Sequence, residues 1–404
     1  MENTNIFDDN LKDAALFLKK IIAVKSLSGE EEELMASLKR GFLPFCDDVQ
    51  LVKMPQDLKS NPYYSNVKDG ISYDNRHNLM LKLNGLTSET VILNAHADTV
   101  PAAEEMFEAY EKEGIIFGRG ACDDKGQIAS IYLLLAAIKK SGIKPLKTLQ
   151  VHIVAEEEIG GNGTLALMQE ELHASLAIIM EPTDLKILTA SRGALWFRMV
   201  TRGIAGHSGD AKSVKNALKT AVSLMGILED SHKKIFQRLK GTHPFEDFEN
   251  PMPLTFGKLH SGVWPATAPK EAILEGVFGF LPGMSSKEVM DEIAKSIESA
   301  GAEISGYTET SFPLQRDPNV TSRELPCVKG FAESVRQAGI KVQYSALPAC
   351  CDMWFYTHEK KIPAVIFGVG ELRHAHSDNE QVKLADIKSC AMAIYNSLNQ
   401  QVQY

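Results

Sequence analysis

The stretch VHIVAEEEIGGNG (151–163) sets the hardest condition on the fold. An apolar run, Val151 to Ala155, opens onto Glu156, Glu157 and Glu158 and then onto glycines. A buried strand end cannot hold three adjacent carboxylates unless positive charge meets them there. The same grammar recurs along the chain. VILNAHADTVP brings His96 and Asp98 after an apolar run, two apart and therefore on one side of an extended chain. LAIIMEPTD brings Glu181 and Asp184, and GRGACDDKG sets Asp123 and Asp124 in a glycine-bounded turn ahead of a helix. After the apolar strand IPAVIFG, the segment FGVGELRHAHSDNEQV brings His374 and His376, which alternation also places on one side. Open α/β sheets bind ligands beyond the carboxyl ends of their strands, where these residues fall. A lone histidine after a strand is more often structural, and a glutamate run is usually a solvated face. Five coincidences of one kind point instead to a metal site, and imidazole plus carboxylate is the ligand set of zinc and its divalent neighbours.

Charge and length narrow the alternatives. The net charge of −9, with no basic cluster to offset it, argues against nucleic-acid binding. The polar, acidic opening MENTNIFDDNLKDAALFLKK lacks the pattern of a leader. The longest apolar run, Ile128 to Ile138, is too short to span a bilayer and reads as a buried helix. Six cysteines without a CxxC pair disfavour both a disulfide framework and cysteine-rich zinc, so a reduced, cytoplasmic setting is expected. At 404 residues the chain exceeds what a single core usually serves, and two domains are expected.

The order of elements suggests how those domains divide. Helical periodicity runs from Leu11 to Ile22, and a second helix follows from Glu30. Strand-like NLMLKL (78–83) and TVILNA (90–95), helix 126–140, strand 148–155, helix 164–172 and strand LAIIM (176–180) alternate. Continuous apolar strands between helices predict an α/β fold, a mixed and mostly parallel sheet with helices on both faces. From Ser191 the texture changes to strand ALWFRMVTRG, helix 213–229, strands around LTFGKL and EAILEGVFGFL, a helix from Ser285 to Ser299, and strand AEISGYTE. That βαββαβ order predicts a ferredoxin-like unit. After Pro313 the alternation resumes with FAESVRQAG, IPAVIFG and a last helix from Leu384. The predicted division is a catalytic domain in two parts, 1–190 and 313–404, with residues 191–312 inserted as a second domain.

HADTVP, GRGACDDKG, AEEEIGG, EPT and AHSDNE, in this order and spacing, resemble the M20 metallopeptidase and amidohydrolase family over nearly the whole chain. That family includes acetylornithine deacetylase, succinyl-diaminopimelate desuccinylase, aminoacylase and glutamate carboxypeptidase. The resemblance implies a zinc-exopeptidase-like catalytic domain, and the inserted unit sits where the family has its lid and dimerisation domain. It implies two divalent metal ions, zinc first, with cobalt or manganese as alternatives. Asp123 would bridge both ions, with His96 and Glu181 completing one and Glu158 and His376 the other. Glu157 would be the general base, and Glu156 carries no ligand role. A cis peptide is implied at Asp123–Asp124. Asp98 would fix the tautomer of His96 through its second ring nitrogen, with a direct ligand role for Asp98 as the rival. His207, in TRGIAGHSGD, would stabilise the oxyanion, supplied by the partner subunit in dimeric members; a homodimer through the lid follows. His376 is preferred to His374 because AHSDNE matches the family pattern.

Substrate residues depart from that pattern. Thr267 and Gly279 stand where many members have an asparagine and an arginine, and Trp354 stands where many have an arginine. A di-acid such as succinyl-diaminopimelate is therefore a poorer fit. Trp354 is a candidate to pack on an apolar part of the substrate, and Arg192, Lys125 and Arg373 are left as carboxylate partners. The expected function is removal of an acyl group from an N-acyl amino acid, with a di- or tripeptidase using the same site as the alternative. A binding protein that keeps the fold without catalysis is disfavoured, because no expected ligand or base is missing.

Overall fold

The computed structural model describes residues 2–207, 209 and 213–400. Its central nine-stranded sheet runs in the order Asp48–Lys53, His77–Leu83, Thr148–Val154, Thr90–His96, Leu176–Ile179, Ala364–Ile366, Ile187–Ser191 and Asn319–Val320. Tyr344–Leu347 also pairs with Ile187–Ser191, in parallel. The middle of the sheet is parallel, because Thr90–His96 is flanked in parallel by Thr148–Val154 and Leu176–Ile179, and the latter by Ala364–Ile366. Antiparallel strands close both flanks. Every residue of Leu176–Ile179 and Ala364–Ile366 is buried, and all but the first of Thr90–His96. Strands apolar on both faces need cover on both, which is why these runs show no alternation.

The helix Lys125–Ser141 packs against the helices Glu2–Ile22 and Leu384–Asn399 and ends where Gly142 adopts φ 65°. Among the described residues no helix is long and apolar enough to cross a membrane.

A separate four-stranded antiparallel sheet has the order Leu254–Ser261, Glu271–Phe280, Gly193–Arg202, Thr308–Arg316. Two helices, Ala217–Leu239 and Ser286–Ser299, pack against it, the second opened by a capping box of Ser285 and Glu288. One face of this sheet, with Leu195, Phe197, Met199, Leu274 and Phe278, forms a buried core with the helices. The succession of elements is the expected βαββαβ, but its last strand is displaced. AEISGYTE does not form a strand: Ala302–Ser305 is a helical turn set off by Gly301 and Gly306, and the strand begins at Thr308. It then continues to Arg316, with a register shift between Ser311 and Leu314. Pro313 lies in that irregularity, where its missing N–H costs no ladder bond.

Candidate metal centre

The strand ends converge on one place. His96 closes its strand, and its Nε2 lies 2.8 Å from Asp123 Oδ1. His376 Nε2 lies 3.3 Å from Asp123 Oδ2 and 3.0 Å from Glu158 Oε2. Two donor groups result, each with all its ligand atoms within 4.8 Å of one another: His96, Asp123, Asp124 and Glu181, and Asp123, Glu158 and His376. Asp123 belongs to both. The peptide Asp123–Asp124 is cis. His374 stands apart from both groups, on a 3₁₀ turn, with Nδ1 3.3 Å from Gln381 Nε2.

The charges of this cluster are unbalanced. Asp123, Glu158 and Glu181 have no lysine or arginine within ion-pair distance among the described residues. Burial pushes the Glu158 carboxyl up to about 7, with Asp123 adding to the effect. Burial likewise lifts Glu181 well above the usual range, aided by Glu157 and Asp123. At Asp123 burial is outweighed by the imidazoles of His376 and His96, and the carboxyl is held low. Hydrogen bonds to Asp123 and Glu158 raise His376 to about 10. Asp124 Oδ2 accepts the His96 N–H at 2.9 Å, while its buried Oδ1 has no partner. Two imidazoles and a buried excess of carboxylate are a donor set for divalent cations.

Glu158, Glu181 and His376, all raised, must lose a proton to bind metal, so the sign of the pH effect follows. Metal binding is expected to release protons and to weaken as pH falls from about 8 to about 6. Competition against a chelator, corrected for the chelator's own titration, measures it; affinity that is flat or rising over this range would contradict the geometry.

Asp98 faces His96 with both its backbone and its side chain. His96 Nδ1 lies 3.0 Å from the main-chain carbonyl of Asp98 and 3.5 Å from the Asp98 carboxylate. Both acceptors favour the tautomer that leaves Nε2 free for a metal. The carboxylate also accepts the N–H of Glu157 at 3.0 Å, the N–H of Glu158 at 3.1 Å and the Ser28 hydroxyl at 2.7 Å. It holds the loop that carries the expected base and one ligand.

The three glutamates meet three different environments. Glu156, fully buried at φ 62°, is 3.0 Å from Arg76 Nη2 and accepts from Tyr73 Oη and Asn162 Nδ2. Arg76 also pairs with Glu31, whose carboxyl burial raises to about 8. Glu158 faces His376. Glu157 lines the cavity, where burial, with Asp352 and Glu158 nearby, raises its carboxyl well above the usual range despite His96.

Sequence reasoning missed Glu380. Its Oε1 accepts the N–H of Cys122 at 3.0 Å and of Asp123 at 2.9 Å, and its Oε2 pairs with the buried Arg119. It ties the segment bearing His376 to the one bearing Asp123. Replacing Glu380 with alanine leaves Arg119 charged and unpaired in the interior, which is expected to cost ~3–5 kcal/mol. Urea unfolding of the metal-free protein checks this.

Beside the metal ligands lies a cavity of about 460 Å³ lined in part by Glu157, Glu158, His376, Arg192 and Arg316. Arg192 donates to the carbonyls of Pro348 and Gly193, and Arg316 to those of Gln315 and Gly160 and to Ser65 Oγ. Neither is ion-paired with a carboxylate among the described residues. Of the three expected carboxylate partners only Arg192 is here. Lys125 is buried, donates to the carbonyls of Ile21 and Val24, and burial lowers it to about 7. Arg373 is exposed and pairs with Glu371. Trp354 is 4% exposed and stacks on His358, so it is core. His207 is exposed on a two-residue strand paired with Thr267–Ala268, outside the cavity lining, and part of the loop after it falls outside the described residues.

Residues 92–400 match the profile described as "Peptidase family M20/M25/M40". An acetylornithine deacetylase of Myxococcus xanthus is 26% identical over 74% of this chain and 76% of its own. An N-formyl-4-amino-5-aminomethyl-2-methylpyrimidine deformylase of Bacillus subtilis is 25% identical over 78% of this chain and 80% of its own. In fold, a di-peptidase of Saccharomyces cerevisiae superposes with TM-score 0.79 at 15% identity, covering 98% of this chain and 97% of its own. A tripeptidase of Staphylococcus aureus gives 0.75 at 19% identity, covering 96% and 98%. Profile, relatives and fold agree with the cluster of metal-ligating side chains: the chain belongs to peptidase family M20/M25/M40, a family of metal-dependent hydrolases.

Proposed function

We propose that this chain is a two-metal amide hydrolase that removes an acyl group from an N-acyl amino acid. The observation that carries the reading is the sharing of Asp123 between two donor groups, the second of which, through Glu158 and His376, opens on a cavity with Glu157 and two guanidiniums that pair with no carboxylate among the described residues. His96, Asp123 and Glu181 would hold one ion and Asp123, Glu158 and His376 the other, zinc first, with cobalt or manganese able to replace it. When bound, such ions make water acidic enough to lose a proton near neutral pH and polarise a carbonyl.

The rest falls to the protein. Arg192 and Arg316, each with donors left over in a cavity wall, receive the substrate's carboxylate and so orient its amide. Glu157, its carboxyl lifted by burial, takes the proton of the attacking water and returns it to the departing amine. Asp98 holds the Glu157 main chain so that this carboxylate stays aimed.

Residues 191–312 are read as a lid. His207 lies outside the cavity lining of its own chain, which supports its action on the oxyanion across a homodimer. The second reading, a di- or tripeptidase, is favoured by the dipeptidase and tripeptidase among the structural neighbours. Primary-amine release from N-acetyl amino acids, N-succinyl amino acids and dipeptides, using zinc- or cobalt-loaded protein, separates the two. Release from acylated amino acids supports the deacylase, and release from dipeptides alone supports the peptidase. Silence across the panel with metal bound overturns both.

A further inference from the structure

The four-stranded sheet presents its second face to the cavity, and its register decides what a substrate meets there. Thr255 pairs with Val277, Val277 with Trp196, and Trp196 with Leu314. One residue from each strand thus forms a single row across the sheet, and all four line the cavity. Two residues along each central strand, on the same side, Gly279 pairs with Ala194 and Ala194 with Arg316. This second row is small where it meets the guanidiniums. A Cβ on Gly279 would stand 2.7 Å from Arg192 Nη1, so a larger residue would displace that guanidinium.

Leu314, at one end of the first row, is buried beside Gly160, but the middle of the row has no folding reason to be apolar. The sheet's other face supplies the core with the helices, and a face turned away from the core is ordinarily polar. Val277 and Trp196 nonetheless lie partly exposed in its middle, with Leu314 beside them. Charge returns only one row further out, where Arg198 and Glu275 pair with each other at 2.6 Å. Asp352, the remaining carboxylate of the lining, belongs to another segment and is buried and bonded by the Thr164 hydroxyl. Rows two residues apart lie roughly 7 Å apart along a strand, the reach of one amino-acid side chain from its own carboxylate.

We infer that the residue whose carboxylate rests on Arg192 and Arg316 carries an apolar side chain, packed on the row of Val277, Trp196 and Leu314. This rests on the amide-hydrolase reading above and specifies its substrate: an N-acyl derivative, or a dipeptide, of an uncharged apolar amino acid. Derivatives of basic residues such as ornithine find no counter-charge in this row, and those of acidic residues no cation in it; Glu275 and Arg198, one row further out, already pair with each other. Trp196 is the specificity-determining residue.

The experiment compares kcat/KM of the zinc- or cobalt-loaded enzyme for N-acetyl derivatives of leucine, methionine, glycine, ornithine and aspartate. Dipeptides with the same carboxyl-terminal residues run alongside, so the side-chain ratio is read whichever acyl group is preferred. A hydrophobic pocket distinguishes one methylene by ~10–200-fold, so leucine and methionine are expected to exceed glycine by at least ~10² and ornithine and aspartate by more. Trp196→Ser and, independently, Val277→Ser are expected to collapse the leucine-to-glycine ratio. Hydrolysis in which ornithine or aspartate derivatives match the apolar ones overturns the inference while leaving the amide-hydrolase reading intact. So does an unchanged ratio in both variants. No hydrolysis of any derivative or dipeptide overturns the reading, and the inference with it.

Discussion

Replacing Glu157 by alanine is expected to lower kcat by ~10²–10⁴, the usual worth of a positioned general base. Metal content is expected to stay at the wild-type level. The separation of the two effects follows from the site. Glu157 belongs to neither group of metal-ligating atoms, yet it lines the same cavity as Glu158 and His376. Its neighbour in sequence, Glu158, sits in the group with His376 and Asp123, so alanine at 158 should cost metal as well as rate. Elemental analysis of both variants after dialysis, beside single-turnover rates, distinguishes base from ligand. Loss of metal from Glu157→Ala would falsify the assignment of roles within the triple glutamate.

The larger effect on metal binding is expected at Asp123. Because its two oxygens serve different groups, Oδ1 toward His96 and Oδ2 toward His376, Asp123→Ala removes a donor from both. Glu181→Ala or Glu158→Ala removes a donor from one group only. Metal affinity in Asp123→Ala is expected to fall by more than the ~10–100-fold that follows loss of an outer hydrogen-bond partner, with activity at background. The single-group variants should retain one tight ion. Equal metal content in Asp123→Ala and Glu181→Ala would show that no bridge exists.

The candidate metal-ligating residues were legible in the sequence because apolar runs end just before His96, Glu158 and Glu181, and because the family resemblance singled out Asp123 and His376 from turns. What completes the site was not, for a reason visible in its partners. Arg76 answers Glu156 from another strand's approach, and Glu31 shares that arginine from a helix start. Glu380 grips the Asp123 main chain from 257 residues away. None of these contacts leaves a local period or motif. Arg316 was missed because the last strand of the small sheet was read over AEISGYTE, whereas glycines end that segment and the true strand runs on past Pro313. Two of the three tryptophans illustrate the same limit. Trp354 and Trp196 are both set among apolar neighbours in sequence, and only cross-strand register tells that the second faces the cavity. Asp98 shows a subtler gap: the sequence marked the residue, but backbone and side chain share the work between them.

That sharing has an evolutionary consequence. His96 Nδ1 has two acceptors at position 98, a carbonyl 3.0 Å away that every amino acid possesses and a carboxylate 3.5 Å away, so a substitution removes only the second. The Asp98 carboxylate, by contrast, receives the amides of Glu157 and Glu158 together. Any heritable change there acts on proton transfer and on cation retention at once. Position 98 is therefore a poor place to alter one of these two traits while sparing the other.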